Sequence, residues 1–300
     1  MLFGFGFLSD SLNFKLYFKM KRLIKTLLVL IPLTLTTFVY SQDTGYRNAV
    51  DSTNPKYIKA VIRSVPSITI ELNGHYDFGI FELSADDNGD FSSSQFVNGQ
   101  NFGVRHGFGA YGALKLNLQE EGHFRLCFNT SYNRFSSGVN KLLTGDNEGE
   151  YANYNIYSLG VGLENNFTPS YKFKPLVGIS ILASVIDGDA RVYDENLLLY
   201  RNLQIIPAFR LGVTVYSGFE YLLNNKYGFN CGIKIVHANL WLKDTKVSDN
   251  PNEIYLNDQR TVPRPLYSGF RQFVWGELYL GVNYYFGISQ KEYIIKKILN

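Results

Sequence analysis

The chain is poor in charge. Asp, Glu, Lys and Arg make up 18% of its 300 residues, against roughly a quarter in soluble domains, which argues against disorder and against an ordinary cytosolic enzyme. Cysteine is scarce as well: Cys127 and Cys231 are the only two, too few for a disulfide framework. No charge of one sign dominates, since the net charge is +3 and the isoelectric point near 8.6, so the electrostatic footprint of a nucleic-acid-binding protein is missing. Long apolar runs are lacking too. The mean hydropathy of −0.10 is too polar for a bundle of membrane helices, and the longest apolar stretch, 27–40, is about 14 residues, short for a spanning helix. What the chain does have is 22 Tyr and 23 Phe, with 27 Gly. It is therefore rich in aromatic rings and yet neutral in average hydropathy.

The apolar stretch sits behind Lys21, Arg22 and Lys25 and ends at Val39, Tyr40 and Ser41. A basic region, a short apolar core and permitted residues at the −3 and −1 positions form a secretory signal peptide. Counted from Met20, the leader spans 20–41, cleavage falls before Gln42, and 1–19 is an over-extended start; the alternative is a retained signal anchor. No Cys follows the cleavage point, which disfavours a lipoprotein. Export implies an oxidising compartment, but the strand faces below put the two cysteines on opposite sides of one wall, so no internal bridge is expected.

Beyond a leader segment at 42–66, apolar residues recur at every second position through eight segments, the signature of strands. Ile68, Ile70 and Leu72 alternate with Thr69, Glu71 and Asn73. In the next segment Val104, Phe108, Ala110 and Leu114 oppose Arg105, Gly107, Gly109 and Lys115. Phe124, Leu126 and Phe128 then oppose Arg125, Cys127 and Asn129, and Leu159, Val161 and Leu163 oppose Gly160, Gly162 and Glu164. In the fifth, Val177, Ile179 and Ile181 face away from Gly178 and Ser180. The sixth sets Leu203, Ile205, Phe209, Leu211 and Val213 against Gln204, Arg210 and Thr214. Cys231, Ile233 and Ile235 oppose Gly232 and Lys234 in the seventh, whose phase flips near Val236 and suggests a bulge. Leu278, Leu280 and Val282 oppose Glu277, Tyr279 and Asn283 in the last.

The links alternate strictly in length. Those around 119–122, 168–171 and 224–226 are short; those near 85–100, 137–152, 187–201 and 243–267 are long and polar. Short turns at one end and long loops at the other, over an even number of antiparallel strands, predict an eight-stranded up-and-down transmembrane β-barrel over 67–286, with periplasmic turns and extracellular loops. A soluble barrel also alternates, but with its apolar face inward. Two features favour the membrane. The polar face is rich in Gly, Ser and Asn, which suit the crowded lumen of a narrow barrel. The aromatic residues of the apolar face gather at strand ends: Phe124, Phe167, Phe219, Tyr221, Tyr227, Phe229, Tyr284 and Phe286 form a girdle at the short-turn end, and Tyr76, Phe78, Tyr132 and Tyr157 a looser one opposite, as at headgroup depth.

The leader ending at Ser41 and Gln42, the eight alternating segments and the closing Gly281-Val282-Asn283-Tyr284-Tyr285-Phe286 resemble the outer-membrane β-barrel family common in Bacteroidota, with the architecture of small OmpA/OmpX-type barrels. The resemblance implies a location in the cell outer membrane, contact with its lipids, and insertion by the barrel-assembly machinery. That family usually ends on the aromatic residue of the last strand. Here 287–300 continues past Phe286 as a periplasmic tail, either a short interfacial or partner-binding helix or an ordered extension.

Charges on the predicted inner face fall in layers. Glu71, Lys115, Arg125, Glu164 and Glu220 lie low; Asp77, Glu277, Lys234 and Arg210 lie near mid-barrel; Arg105 and Arg271 sit higher. Acids and bases nearly balance, so an internal ion-pair network that plugs the lumen is the expected arrangement. A constellation for catalysis is missing. A membrane acyl hydrolase needs a His beside a Ser with an orienting carboxylate, but the strand of His106 carries no Ser, His237 is followed by Ala238 and Asn239, and His123 lies in a turn. His75 beside Asp77 is compatible with proton chemistry or with simple membership of the network. No His/Cys/Asp group stands at metal spacing, and Asp86-Asp87-Asn88-Gly89-Asp90 lacks the closing Glu of a calcium loop. The expectation is thus a non-enzymatic barrel without catalytic residues, cofactor or metal, acting as a membrane scaffold or as an accessory subunit with other outer-membrane or periplasmic proteins. A lipid-modifying enzyme and a narrow solute channel are the alternatives.

Overall fold

The computed structural model describes residues 49–50, 57–63, 65–84, 91–97, 99–137, 149–194, 197–259, 271–288 and 290–296. Its main unit, residues 63–291, is built on eight antiparallel strands. They are β1 (Ile68–Ile80), β2 (His106–Asn117), β3 (Phe124–Ser136), β4 (Tyr151–Asn166), β5 (Phe173–Asp194), β6 (Leu199–Leu222), β7 (Tyr227–Trp241) and β8 (Val274–Phe286). Each pairs with the next, and β8 returns to β1 in a register from Val274 opposite Ile80 to Phe286 opposite Ile68. The result is a closed eight-stranded up-and-down β-barrel. Closure pairs the edges that an open sheet would leave bare. No helix among the described residues is long and apolar enough to cross a membrane.

Alternation decides which side chains fill the cylinder. On β1, Thr69, Glu71, Asn73, His75 and Asp77 are buried inside, while Ile68, Ile70 and Leu72 are exposed outside. The polarity of an ordinary globule is reversed: Leu159 is 67% exposed and Leu280 65%, whereas Glu220 is 0% and Arg125 1% exposed. Eight strands leave a lumen just wide enough for side chains, and glycine makes room where two of them meet. A Cβ at Gly109 would lie 1.9 Å from His75 Nε2, and one at Gly178 2.2 Å from the ring of Tyr216.

Several boundaries differ from the sequence expectation. The supposed loop 187–201 is mostly strand: β5 and β6 stay paired up to Asp194 opposite Leu199. This extension rests on cross-strand pairs, Tyr193 against Tyr200 at 5.3 Å and Asp194 with Arg201 at 3.1 Å, and its inward apolar residues, Ala190 and Val192, make too short an alternation for periodicity to detect. The register slips between Ile186 and Gly188, which oppose Ala208 and Ile205, so β6 carries an extra residue there. Pro207, which has no N–H to give to a ladder, lies in the slip. Beyond it the faces exchange, so Leu203 and Ile205, expected on the outer face, are buried inside. The irregularity anticipated near Val236 lies slightly further on: Leu211 opposes Trp241 but Val213 opposes His237.

A second unit holds the short strands Ala49–Val50 and Tyr57–Arg63 in one three-stranded sheet with Gln290–Lys296. In the tail, the structure differs from the helix alternative and has an ordered strand at Gln290–Lys296, in keeping with the β-forming run Tyr293-Ile294-Ile295. The proposed leader at 20–41, the over-extended start at 1–19 and the acidic run at 86–90 lie outside the described residues.

Candidate functional site

The interior is stacked in three storeys. The lowest, near the short turns, is an ionic ring to which six successive strands each give a charged group: Glu71, Lys115, Arg125, Glu164, Lys174 and Glu220. Lys115 Nζ pairs with Glu71, with Glu164 at 2.9 Å and with Glu220 at 3.0 Å. Arg125 pairs with Glu164 and makes a fork onto Glu220, with Nη1 donating at 3.1 Å and Nη2 at 2.8 Å. The Tyr285 hydroxyl donates to Glu220 at 3.3 Å, and Lys174 Nζ lies 4.9 Å from the centre of the Tyr285 ring. On the remaining arc Asn230 donates to Asn283. Such burial is tolerable because each ion sits against opposite charge and further hydrogen bonds.

The middle storey joins β1, β8 and β7. Glu277 lies directly across from Asp77 on one side and Lys234 on the other. Glu277 Oε1 is 2.8 Å from His75 Nδ1 and 2.9 Å from Lys234 Nζ. Asn133 donates to Asp77 Oδ2 at 3.0 Å and lies 3.2 Å from His75 Nε2. The Lys234 ammonium is 3.3 Å from the centre of the Tyr111 ring and 4.7 Å from that of Tyr279, a desolvated cation–π arrangement.

The upper storey is apolar. Phe135, Tyr154, Ile186, Ile205 and Trp275 from the wall meet Phe102, Leu256 and Phe273 from the connecting segments. Ring centres are 4.9 Å apart for Phe102 and Phe273, 5.3 Å for Tyr154 and Phe273, and 5.4 Å for Phe135 and Trp275. Two segments of the long loops are thus folded into the mouth. The segment ending at Val104 is tied to the 3-10 turn Phe81–Leu83 by Phe102 N–H to Glu82 O and Val104 N–H to Leu83 O. The other is held by Asp258, which accepts two bonds from Arg210, both at 2.9 Å, and one from Asn239 at 2.8 Å. Arg210 also pairs with Asp244 at 3.1 Å. Glu253–Ile254 adds a short parallel strand against Gln204 and Ile205.

The inner charges named from the sequence are distributed as follows. Glu71, Lys115, Asp77, Lys234, Glu277, Arg210 and Arg271 are buried in the lumen. Arg210 is not in the middle storey: strands are staggered in a barrel, so equal counts from the turns do not mean equal height, and its partner Asp258 comes from a loop. Arg271 is held by main-chain carbonyls, donating to Asn101, Leu256 and Asn257, with its guanidinium 4.4 Å from the Phe102 ring centre. Arg105 is exposed. The strand begins only at His106, and the preceding residues turn Phe102 and Val104 into the mouth instead. Val104, expected outside, is accordingly buried in the core. Asp258 escaped sequence reasoning because nothing in a loop sequence marks it as an inward residue. The joining of Glu277 to His75 and Asp77 depends on strand register, which spacing along the chain does not reveal.

The outer aromatics form contacts rather than isolated rings. Tyr227 meets Tyr284 at 5.2 Å, Tyr284 meets Phe286 at 4.6 Å, Tyr221 meets Phe229 at 5.3 Å and Phe219 meets Phe173 at 5.0 Å. Phe124 and Phe167 are exposed on the same end. Opposite, Tyr132 lies 5.0 Å from Tyr157, and His106 Nδ1 is 2.5 Å from the Tyr76 hydroxyl. Cys127 is buried inside, and Cys231 is half-buried on the outer face; both are free.

No protein-family model and no curated protein matches the chain. Among solved structures, it is similar to Neisserial surface protein A, with 14% identity, 73% of this chain and 97% of the other covered, and a TM-score of 0.41. The attachment invasion locus protein Ail of Yersinia pestis, solved with the heparin analogue sucrose octasulfate, gives 9% identity, coverage of 75% and 99%, and a TM-score of 0.34. The outer membrane protease OmpT from Escherichia coli gives 10% identity, coverage of 78% and 98%, and a TM-score of 0.34.

Proposed function

We propose that the chain is an integral barrel of the bacterial outer membrane whose role is structural or interactional, as a scaffold or as an accessory subunit of a larger outer-membrane assembly. The observation that carries this reading is the inside-out distribution of polarity: half-exposed Leu, Ile and Val on the outer wall around fully buried ions. In water such a continuous apolar belt would drive aggregation; in lipid it is the required surface. Its height fits. From Ile68 to Phe78 is about ten residue steps of roughly 3.3 Å, which at a tilt near 40° spans about 25 Å, the apolar band of outer-membrane barrels. Aromatic girdles stand at both edges of that band. On this reading the short turns face the periplasm and the long loops the exterior.

The packed lumen favours a plugged barrel over a channel, since all three storeys are filled by side chains. The histidines give little support to catalysis: His106 is engaged by Tyr76, and His75 by Glu277. Lipids of the outer membrane are the immediate partners on this reading, with the loop-bearing end available to other proteins.

Fractionation tests the location. The chain is expected in the outer-membrane fraction, migrating faster on electrophoresis before heating than after; recovery as a soluble protein would overturn the proposal. Native-detergent purification separates the two roles. A stable complex supports the subunit, and the isolated barrel alone supports the scaffold.

A further inference from the structure

His75 and Asp77 are alternate residues of β1 and share its inner face, and Glu277 on β8 is the direct cross-strand partner of Asp77. Alternate residues of a strand lie about 7 Å apart and cross-strand partners about 5 Å, so side chains of this length converge. One ligand-type atom from each of the three lies within 4.8 Å of the other two, and all three residues are buried. We propose that His75, Asp77 and Glu277 bind one divalent transition-metal cation of the zinc class. The site is independent of the membrane reading, since it would exist in any environment where this barrel closes.

The donor set selects the ion. One imidazole and two carboxylates suit zinc and its first-row neighbours, whereas magnesium and calcium take oxygen alone. Two observations point to a missing partner. Asp77 is 0% exposed, and its Oδ1 has no hydrogen-bond partner among the described residues; a buried carboxylate oxygen in that state is unfavourable. Around Asp77 stand His75, Glu277 and Lys234, and the His75 ring and the Lys234 ammonium both lie against Glu277, which leaves two carboxylates with their nearest partners on one of them. A cation between them gives Asp77 its counter-charge. Outer support for the carboxylate is in place too, because the Asn133 amide donates to Asp77 Oδ2, the role of groups that orient metal ligands.

Lys234 sets the affinity. Its ammonium lies 2.9 Å from Glu277 Oε1, so it competes with the metal for that oxygen, and removing its charge tightens binding.

The test is metal content of the full-length chain refolded in detergent with zinc, then passed over a chelating resin. About one zinc per folded barrel is expected, and cobalt in its place gives the visible absorption of a nitrogen-ligated site. Asp77→Asn, which keeps the size of the side chain, and His75→Ala each lower affinity at least roughly tenfold, while Lys234→Met raises it by a similar factor. Heat-dependent migration of the same samples reports folding, and Glu277→Gln serves if His75→Ala does not fold. A wild-type barrel that retains no metal overturns the proposal. So does zinc held equally by Asp77→Asn, which assigns it to other histidines.

Discussion

The lower and upper halves of the lumen solve one packing problem by opposite means. Near the short turns the wall supplies everything: Glu71, Lys115, Arg125, Glu164 and Glu220 all belong to strands and neutralise one another across the cylinder. Near the long loops the wall supplies apolar residues, and the filling is completed by Phe102, Leu256 and Phe273 from connecting segments, with Arg210 and Asp258 fastening one of them. The difference teaches where specificity resides. An ionic ring is unforgiving of a lost partner, because a buried charge left alone has no water to fall back on. An aromatic core loses stability in proportion to the volume removed.

The ring is where the contrast breaks most sharply. Glu220→Ala leaves Arg125 without its fork and Lys115 without one of its acids, and is expected to cost about 3–5 kcal/mol in denaturant unfolding of the detergent-folded chain. In the upper storey Phe273→Ala removes a ring that touches Phe102, Tyr154 and Trp275, with an expected loss of about 3 kcal/mol in the same assay. Asp258→Ala is milder, about 2 kcal/mol, because Arg210 keeps Asp244; its main effect is local, seen as faster proteolysis within 244–258 while the barrel stays folded. The smallest effect comes from replacing both members of one pair. Arg125→Met with Glu220→Leu is expected to cost about 1 kcal/mol, far less than Glu220→Ala alone, since no charge is left unpaired between them. A double replacement as harmful as the single one would show that the ring acts through all its members at once.

The same contrast explains what was legible in the sequence. The lower half could be read, since each strand there keeps strict alternation and its charges sit on fixed inner positions such as Glu71, Lys115 and Glu164. The girdle at Tyr227, Tyr284 and Phe286 was legible for the same reason. In the upper half three things defeat periodicity. A one-residue slip beside Pro207 turns Leu203 and Ile205 inward. Loop segments bring in Phe102, Leu256 and Asp258, and no pattern marks a loop residue as inward. The β5–β6 extension from Gly188 to Asn202 offers only Ala190 and Val192 as inward apolar residues. The grouping of His75, Asp77 and Glu277 was half visible: the first two share a strand face, but the third arrives through register between the first and last strands.

The central claim is that the wall is apolar outside and the lumen is filled. Conductance across a planar bilayer after insertion of the refolded chain tests it most directly. The account predicts insertion without a steady current, both for the unaltered chain and for Asp258→Ala together with Phe273→Ala, because the strand-borne ionic ring still fills the lower lumen. Steady ohmic conductance from the unaltered chain would contradict it.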